Sequence, residues 1–224
     1  MAAELPVTPR TQVRRHRDRA DYDRATVDAI LAEGTICHVA VHDGDTTWMV
    51  PTAYGVLGDE LVLHGALANN ALAAAARGVP VTVAVTLTDA FVLARSTFNH
   101  SINYRSVVIF GVARAVTDPE EKTAALAAVV DHLLPGRSGE ARPPDPSELR
   151  QTAVVALPVT EASAKVRTGP PMDGDGPDGG LPVWAGELPL RTVAGAPLPA
   201  PDLTPDAPPP SAGWLHQPRW APGG

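Results

Sequence analysis

The 224-residue sequence holds one cysteine, Cys37, which excludes an internal disulfide and a zinc site built on cysteines alone. Aromatic residues make up only 4% of the chain, so a core must come mainly from Val, Leu, Ile and Ala. No apolar run reaches the roughly 18 residues that a membrane-crossing helix requires. Positive charge is also short: 18 Lys and Arg stand against 25 Asp and Glu, for a formal charge of -7. A general nucleic-acid binder needs a basic face, so nucleic acid is not an expected partner, and neither is a membrane. Residues 1–23 are polar and Arg-rich, without the apolar segment of a secretory signal. The expected compartment is the cytoplasm. The length suits one domain, or one domain with an extension.

Proline is unevenly spread. Residues 1–134 hold five of the 24 prolines, and residues 135–224 hold the other nineteen. Regular structure is therefore expected mostly in the first part. The segment LPAPDLTPDAPPPSAG, 198–213, cannot form a helix or a central strand and reads as a polyproline-type strap or tail. Residues 23–34 place Val27, Ile30 and Leu31 on one helical face, and Gly34 can end that helix. TICHVAVH and TTWMVPTAYGV flank Asp43-Gly44-Asp45, a hairpin signal, with Pro51 marking an edge, a bulge or a bend. ELVLHG, 60–65, follows as a third strand, and the Ala-rich segment 66–77 reads as a helix closed by Gly78 and Pro80. VTVAVTLTDAFVL and YRSVVIFGVARAV are two further strands. Asp118-Pro119-Glu120-Glu121 starts a helix with a capping box, whose apolar face is Leu126, Val130, Leu133 and Leu134. A last strand, TAVVAL at 152–157, continues toward Lys165 and Arg167. The order is hairpin-like rather than alternating βαβ, which disfavours a Rossmann fold and favours a small antiparallel barrel with peripheral helices.

Four segments in order, VPTAYGVLGDELVLHGA, VTLTDAFVLARSTFNHSINYRSVVIFGVARAV, EASAKVRTGPP and LPVWAGELPLR, resemble the pyridoxamine-phosphate-oxidase-like flavoproteins. The similar branch is the one related to nitroimidazole-resistance proteins, and the resemblance runs from about residue 13 to about residue 198. It implies a mainly β (α+β) fold: a six-stranded antiparallel split β-barrel with peripheral helices and a Pro-rich C-terminal extension. The division expected is a polar arm at 1–22, the barrel domain at 23–194 and a tail at 195–224. The resemblance also implies FMN as cofactor, a homodimer with the flavin at its interface, and an oxidoreductase acting on a nitro compound, a quinone or a pyridoxamine-like amine.

The same resemblance assigns site residues. The FMN phosphate belongs beside the helix after LHG, where Gly65, Asn69 and Asn70 stand; free amides and the helix dipole suit an anion there. Relatives carry Ser followed by Arg or Lys in that first turn, whereas Asn69-Asn70 brings no charge. Val50 and Pro51 would floor the flavin ring, with Thr52 and Tyr54 as polar partners. Arg105 with Ser106, and then Arg95, are the candidates to supply the missing cation. Trp184 and Arg191 match a late Trp and Arg that contact flavin in oxidase relatives, and Lys165 and Arg167 approach the same site. His64 and His100 are the catalytic candidates, since imidazole can donate, shuttle a proton or ligate metal. Two other readings stay open. One is a haem protein on the same barrel, with His64 or His100 as axial ligand; the other is a cofactor-poor dimer binding a small molecule. Cys37, within ICHV, reads as a small core residue.

Overall fold

The computed structural model describes residues 3–204. The larger part of the expected Pro-rich tail, 205–224, lies outside the described residues, and 195–204 is exposed chain without regular secondary structure. Ten strands are present among the described residues: β1 (Ala20–Asp21), β2 (Ile36–Asp43), β3 (Thr46–Leu57), β4 (Glu60–Ala66), β5 (Pro80–Leu93), β6 (Ser101–Val112), β7 (Arg114–Ala115), β8 (Thr152–Pro158), β9 (Ala162–Arg167) and β10 (Gly186–Pro189). Five helices accompany them: α1 (Arg24–Glu33), α2 (Asn70–Ala76), α3 (Pro119–Leu133), α4 (Arg137–Glu140) and α5 (Pro146–Gln151). Every pairing is antiparallel, in the order β1-β9-β6-β5-β2-β3-β4-β8-β7, with β10 added to β5. β8 and β9 are consecutive in the chain, so both ends of this path are drawn together and the sheet curls into a split barrel.

The six expected strands are all found, but the one expected at 104–116 starts at Ser101 and breaks at Ala113 into β6 and β7, the latter pairing with β8. β1 has two residues, below what periodicity can show. The segment expected to run on from 157 to Arg167 instead turns at 159–161 and returns as β9. β10 pairs Gly186 to Pro189 with Leu93 to Ala90, an edge pairing that local sequence does not announce.

The period-two pattern puts one face of each strand inside. Val39, Val41, Leu61, Leu63, Val83, Val85, Val107, Ile109, Val155 and Leu157 fill the barrel, closed by Val27, Ile30 and Leu31 of α1 and by Leu72 of α2. Cys37 belongs to this interior, with its thiol 3.6 Å from the Thr52 carbonyl, and burial pushes its pKa up to about 12. A second cluster, Val62, Val116, Ala125, Val129, Val154 and Ala156, joins α3 to the outer side of β4 and β8. Gly55 permits this closeness. A Cβ there would lie 2.7 Å from the Ala128 carbonyl carbon and the Val129 nitrogen.

The buried face of α3 is Ala125 and Val129, while Val130 and Leu133 are exposed, so the expected face is one residue out of phase. Asp118 caps α3 by accepting from Glu121 N at 2.8 Å. The Glu121 side chain does not return to close a capping box; it takes Arg114 at 2.5 Å. The complete capping box is at α5, where Asp145 and Glu148 accept reciprocally. Gly34 ends α1 in extended, not left-handed, geometry. It is required for space: a Cβ would lie 2.5 Å from Val85 Cγ1 and 2.7 Å from the Tyr54 hydroxyl.

Candidate functional site

Sequence reading placed Val50, Pro51, Thr52 and Tyr54 on one lining. Strand alternation separates them. Pro51 is exposed on the outer face opposite His38, whereas Val50 packs on the interior. The Thr52 hydroxyl bonds the Ala53 carbonyl. Tyr54 is wholly buried, its hydroxyl 2.7 Å from the Leu31 carbonyl and 3.0 Å from the Gly34 carbonyl. His132 Nε2 donates to the same Gly34 carbonyl at 2.6 Å, and its ring tilts on Tyr54 at 4.5 Å. These groups tie the end of α1 to α3, so Tyr54 belongs to the core and not to a cleft.

The start of α2 is also committed. Asn69 is the cap residue, and its side-chain oxygen accepts from Leu72 N at 3.1 Å. Asn70 is the first helical residue, and the helix spans only seven. Gly65 is needed for packing, since a Cβ there would meet Leu72 Cδ1 at 2.8 Å.

The two expected cations of the phosphate site are held by carboxylates. A β-bulge between Thr88 and Ala90 turns Asp89 toward β6. There Arg105 binds Asp89, with its Nη2 2.7 Å from Oδ1, and Glu33 at the end of α1, at 2.5 and 2.8 Å. The hydrogen bonds that Arg105 donates to Glu33 and Asp89 raise its pKa and keep the guanidinium charged. Arg95 is held through its backbone amide at 2.7 Å and its Nη1 at 3.0 Å by Asp173, whose side chain is 2% exposed. Burial opposes ionisation of Asp173, but the hydrogen bonds from Arg95 outweigh it and leave the carboxyl below its ordinary range. Both arginines therefore fasten segments of chain: Arg105 joins α1 to the bulge, and Arg95 anchors the Gly- and Pro-rich loop after β9. Neither is free to replace the charge missing at Asn69-Asn70.

Ser106 donates weakly to the Lys165 carbonyl at 3.4 Å. Trp184 is 68% exposed and lies over the backbone of Gly186, whose Cβ would strike its ring at 2.8 Å. Arg191 is exposed after the end of β10. His100 is exposed, its Nδ1 bonded to the Ser96 carbonyl at 2.9 Å. The polar loop is shorter than expected, since Ser101 already begins β6.

His64 differs from all of these. It stands on β4 opposite Val154, on the outer face that it shares with Val62. Its Nδ1 is buried with no hydrogen-bond partner, and burial lowers its pKa, so the imidazole is neutral at pH 7. A neutral imidazole with an unspent nitrogen is an acceptor, a proton carrier or a metal ligand. Among the described residues no group of three His, Cys, Asp or Glu side chains is placed to hold a metal ion, so His64 could serve only as one ligand of a group with its own donors.

The open cleft lies elsewhere on the outer face. It has a volume of about 590 Å³ and is lined by Thr86 and Thr88 of β5, Tyr104, Ser101 and Ile102 of β6, and His100. That volume lies in the range of cofactor and drug-sized sites. Register sets Thr88, Tyr104 and Arg167 side by side across β5, β6 and β9, and Thr86, Ser106 and Lys165 in the next row. Thr86, Thr88 and Tyr104 were not singled out in the sequence; the signal was there in the alternating Thr82, Ala84, Thr86 and Thr88 of β5, which face away from the core. Behind the row, Arg167 is buried at 6% exposure and donates to the Asn103 side chain and, at 3.1 Å, to the Gly169 carbonyl. Asn103 in turn donates to Glu187.

Comparison with known proteins fits this architecture. The family described as Pyridoxamine 5'-phosphate oxidase matches residues 23–166, and the chain belongs to that family. The structure is similar to the flavocytochrome Anf3 from Azotobacter vinelandii, with 38% identity, a TM-score of 0.85, and coverage of 93% of this chain and 96% of that one. It is also similar to a FAD- and haem-binding protein from Mycobacterium smegmatis, with 36% identity, a TM-score of 0.81, and coverage of 87% and 95%. A Bacteroides thetaiotaomicron protein named for 5-nitroimidazole antibiotic resistance shares the fold at 21% identity and a TM-score of 0.56, over 66% of this chain and 86% of that one. No curated protein matches the sequence. Among the described residues no helix is long and apolar enough to cross a membrane.

Proposed function

We propose that this protein is a flavin-dependent oxidoreductase that also carries haem, with the flavin ring in the Thr86–Tyr104 cleft and His64 as an iron ligand. The observation that carries the reading is His64: a neutral, half-buried imidazole whose Nδ1 has no partner, in a chain similar over most of its length to a flavocytochrome and to a FAD- and haem-binding protein. The cleft residues suit a flavin. Among the described residues the Thr86, Thr88 and Tyr104 hydroxyls form no side-chain hydrogen bond and can meet the polar edge of the ring, while Ile102 offers an apolar surface.

FMN is the cofactor expected from the sequence, and FAD is the form we favour. The start of α2 supplies no cation for a terminal phosphate, and the similar Mycobacterium smegmatis protein is named for binding FAD. When bound, flavin and haem supply hydride and single-electron chemistry, and the protein positions and insulates them. This chain's part is then threefold. Thr86, Thr88 and Tyr104 orient a ring. His64 presents an uncharged nitrogen. The outer sheet face closes against a second copy, which would cover the exposed Ile36, Met49 and Val112 and shed water from the site. The substrate follows as a small oxidisable or reducible molecule reaching this face.

The test is the absorption spectrum of the protein as purified, with released flavin identified by mass. Flavin bands together with a Soret band are expected, and His64→Ala should remove the Soret band while leaving the flavin. A colourless protein, or a Soret band unchanged in His64→Ala, overturns the assignment.

A further inference from the structure

Charge is placed on this chain against its own average. The formal charge is -7, yet six of its 18 basic residues fall on two paired segments, four on the arm before β1 and two on β9. Arg14, Arg15, Arg17 and Arg19 lie on the arm leading into β1, with Asp18 the one acid among residues 14–19. β1 then pairs with β9, where Ala20 is opposite Lys165, and Arg167 ends the strand. Among the described residues none of the six is within ion-pair distance of a carboxylate, although the chain forms eleven other ion pairs. Arg167 is the costly member. It is nine-tenths buried, its hydrogen-bond partners are an amide oxygen and backbone carbonyls, and burial together with nearby Arg19 lowers its pKa against the weaker opposing pull of Glu187 and Tyr104. A cation desolvated beside further cations raises the free energy of the free protein, and an anion would relieve it.

β9 adjoins the cleft: Arg167 is opposite Tyr104, and Lys165 is opposite Ser106. The geometry points to a diphosphate-binding rim here, in which Lys165 and Arg19 meet the phosphate oxygens of a nucleotide whose ring lies in the Tyr104 cleft, and Arg167 adds its field from behind. This rests on the proposed function, which places a nucleotide ring in that cleft. The diphosphate has two possible sources, the flavin itself or a nicotinamide dinucleotide that reduces it. The chemistry at the rim is the same in both.

Inorganic pyrophosphate is the probe, titrated calorimetrically into the protein as purified and into the same protein after flavin release. Binding is expected, weakening with added salt. Lys165→Gln and Arg19→Gln should each weaken it about tenfold, while Lys165→Arg keeps it, because each removes one charge-assisted contact and the last restores it. Binding only after flavin release assigns the rim to the flavin's diphosphate; binding in both preparations assigns it to the reductant. Absence of pyrophosphate binding in both preparations, or an affinity in Lys165→Gln and Arg19→Gln unchanged from that of the unmodified chain, overturns the proposal. A protein that carries no flavin yet binds pyrophosphate with this Lys165 dependence retains the rim and removes the flavin reading.

Discussion

Arg105 and Arg167 stand on neighbouring strands, and both are largely withdrawn from water, but their surroundings are opposite. Arg105 is met by two carboxylates, Glu33 and Asp89, one brought by the end of α1 and one by a bulge in β5. Arg167 donates to an amide oxygen and to carbonyls, and the acid near it, Glu187, shares Asn103 with it and forms no ion pair to it. The first arrangement is complete without a ligand and holds the fold. The second has no carboxylate in ion-pair contact, among the described residues, and Glu187 acts on it only from a distance. A buried arginine is therefore informative through what faces it, not through its burial.

Mutation can break this contrast. Arg105→Met should have the largest effect, since it strands two carboxylates that are each about one-third exposed. A loss of about 2–3 kcal/mol is expected in urea unfolding at pH 7, between the values for exposed and fully buried pairs. Tyr54→Phe comes next. It takes a buried donor from the Leu31 and Gly34 carbonyls, and about 1–2 kcal/mol should be lost in the same measurement. Arg167→Met should cost less than about 1 kcal/mol, because an apolar isostere removes a desolvated cation along with its hydrogen bonds. An Arg167→Met loss equal to that of Arg105→Met would end the distinction.

The smallest effect belongs to His64 and depends on pH. Its pKa is lowered in the folded protein, so the unfolded chain takes up the proton first. Its contribution to stability is full above the ordinary histidine value of about 6.5 and is lost as pH falls below it. Unfolding midpoints measured between pH 7 and pH 5 should fall less steeply in His64→Gln than in the unmodified chain.

Much of the barrel could be read from residues. The hairpin at Asp43-Gly44-Asp45, the long β5 and the helix start at Asp118-Pro119 all express local chemistry, and the structure keeps them. The apolar composition also determined what fills the barrel. The site was less legible, because its logic is relational. Arg105 looked like a ligand-binding cation in YRSVV, and only the fold brings Glu33 and Asp89 to it from 72 and 16 residues away. Tyr54 looked like a pocket residue until strand parity turned it inward. Asn69 looked like a phosphate contact through its amide donor, and the structure adds a second use, its oxygen capping its own helix. His64 was the exception: the sequence singled it out, and the structure leaves its Nδ1 unspent. The Arg167–Asn103–Glu187 chain had no local signal, since its members come from three strands.

The buried thiol of Cys37 has a practical consequence. With its pKa raised to about 12 and no water access, Cys37 stays protonated and unreactive toward alkylating reagents near neutrality. Any cysteine introduced on the surface becomes the sole labelling point, since Cys37 is the only other thiol of the chain and is buried. A fluorophore or spin label placed at exposed Phe98, or along 14–17, would then report distances across the outer face without a background to subtract.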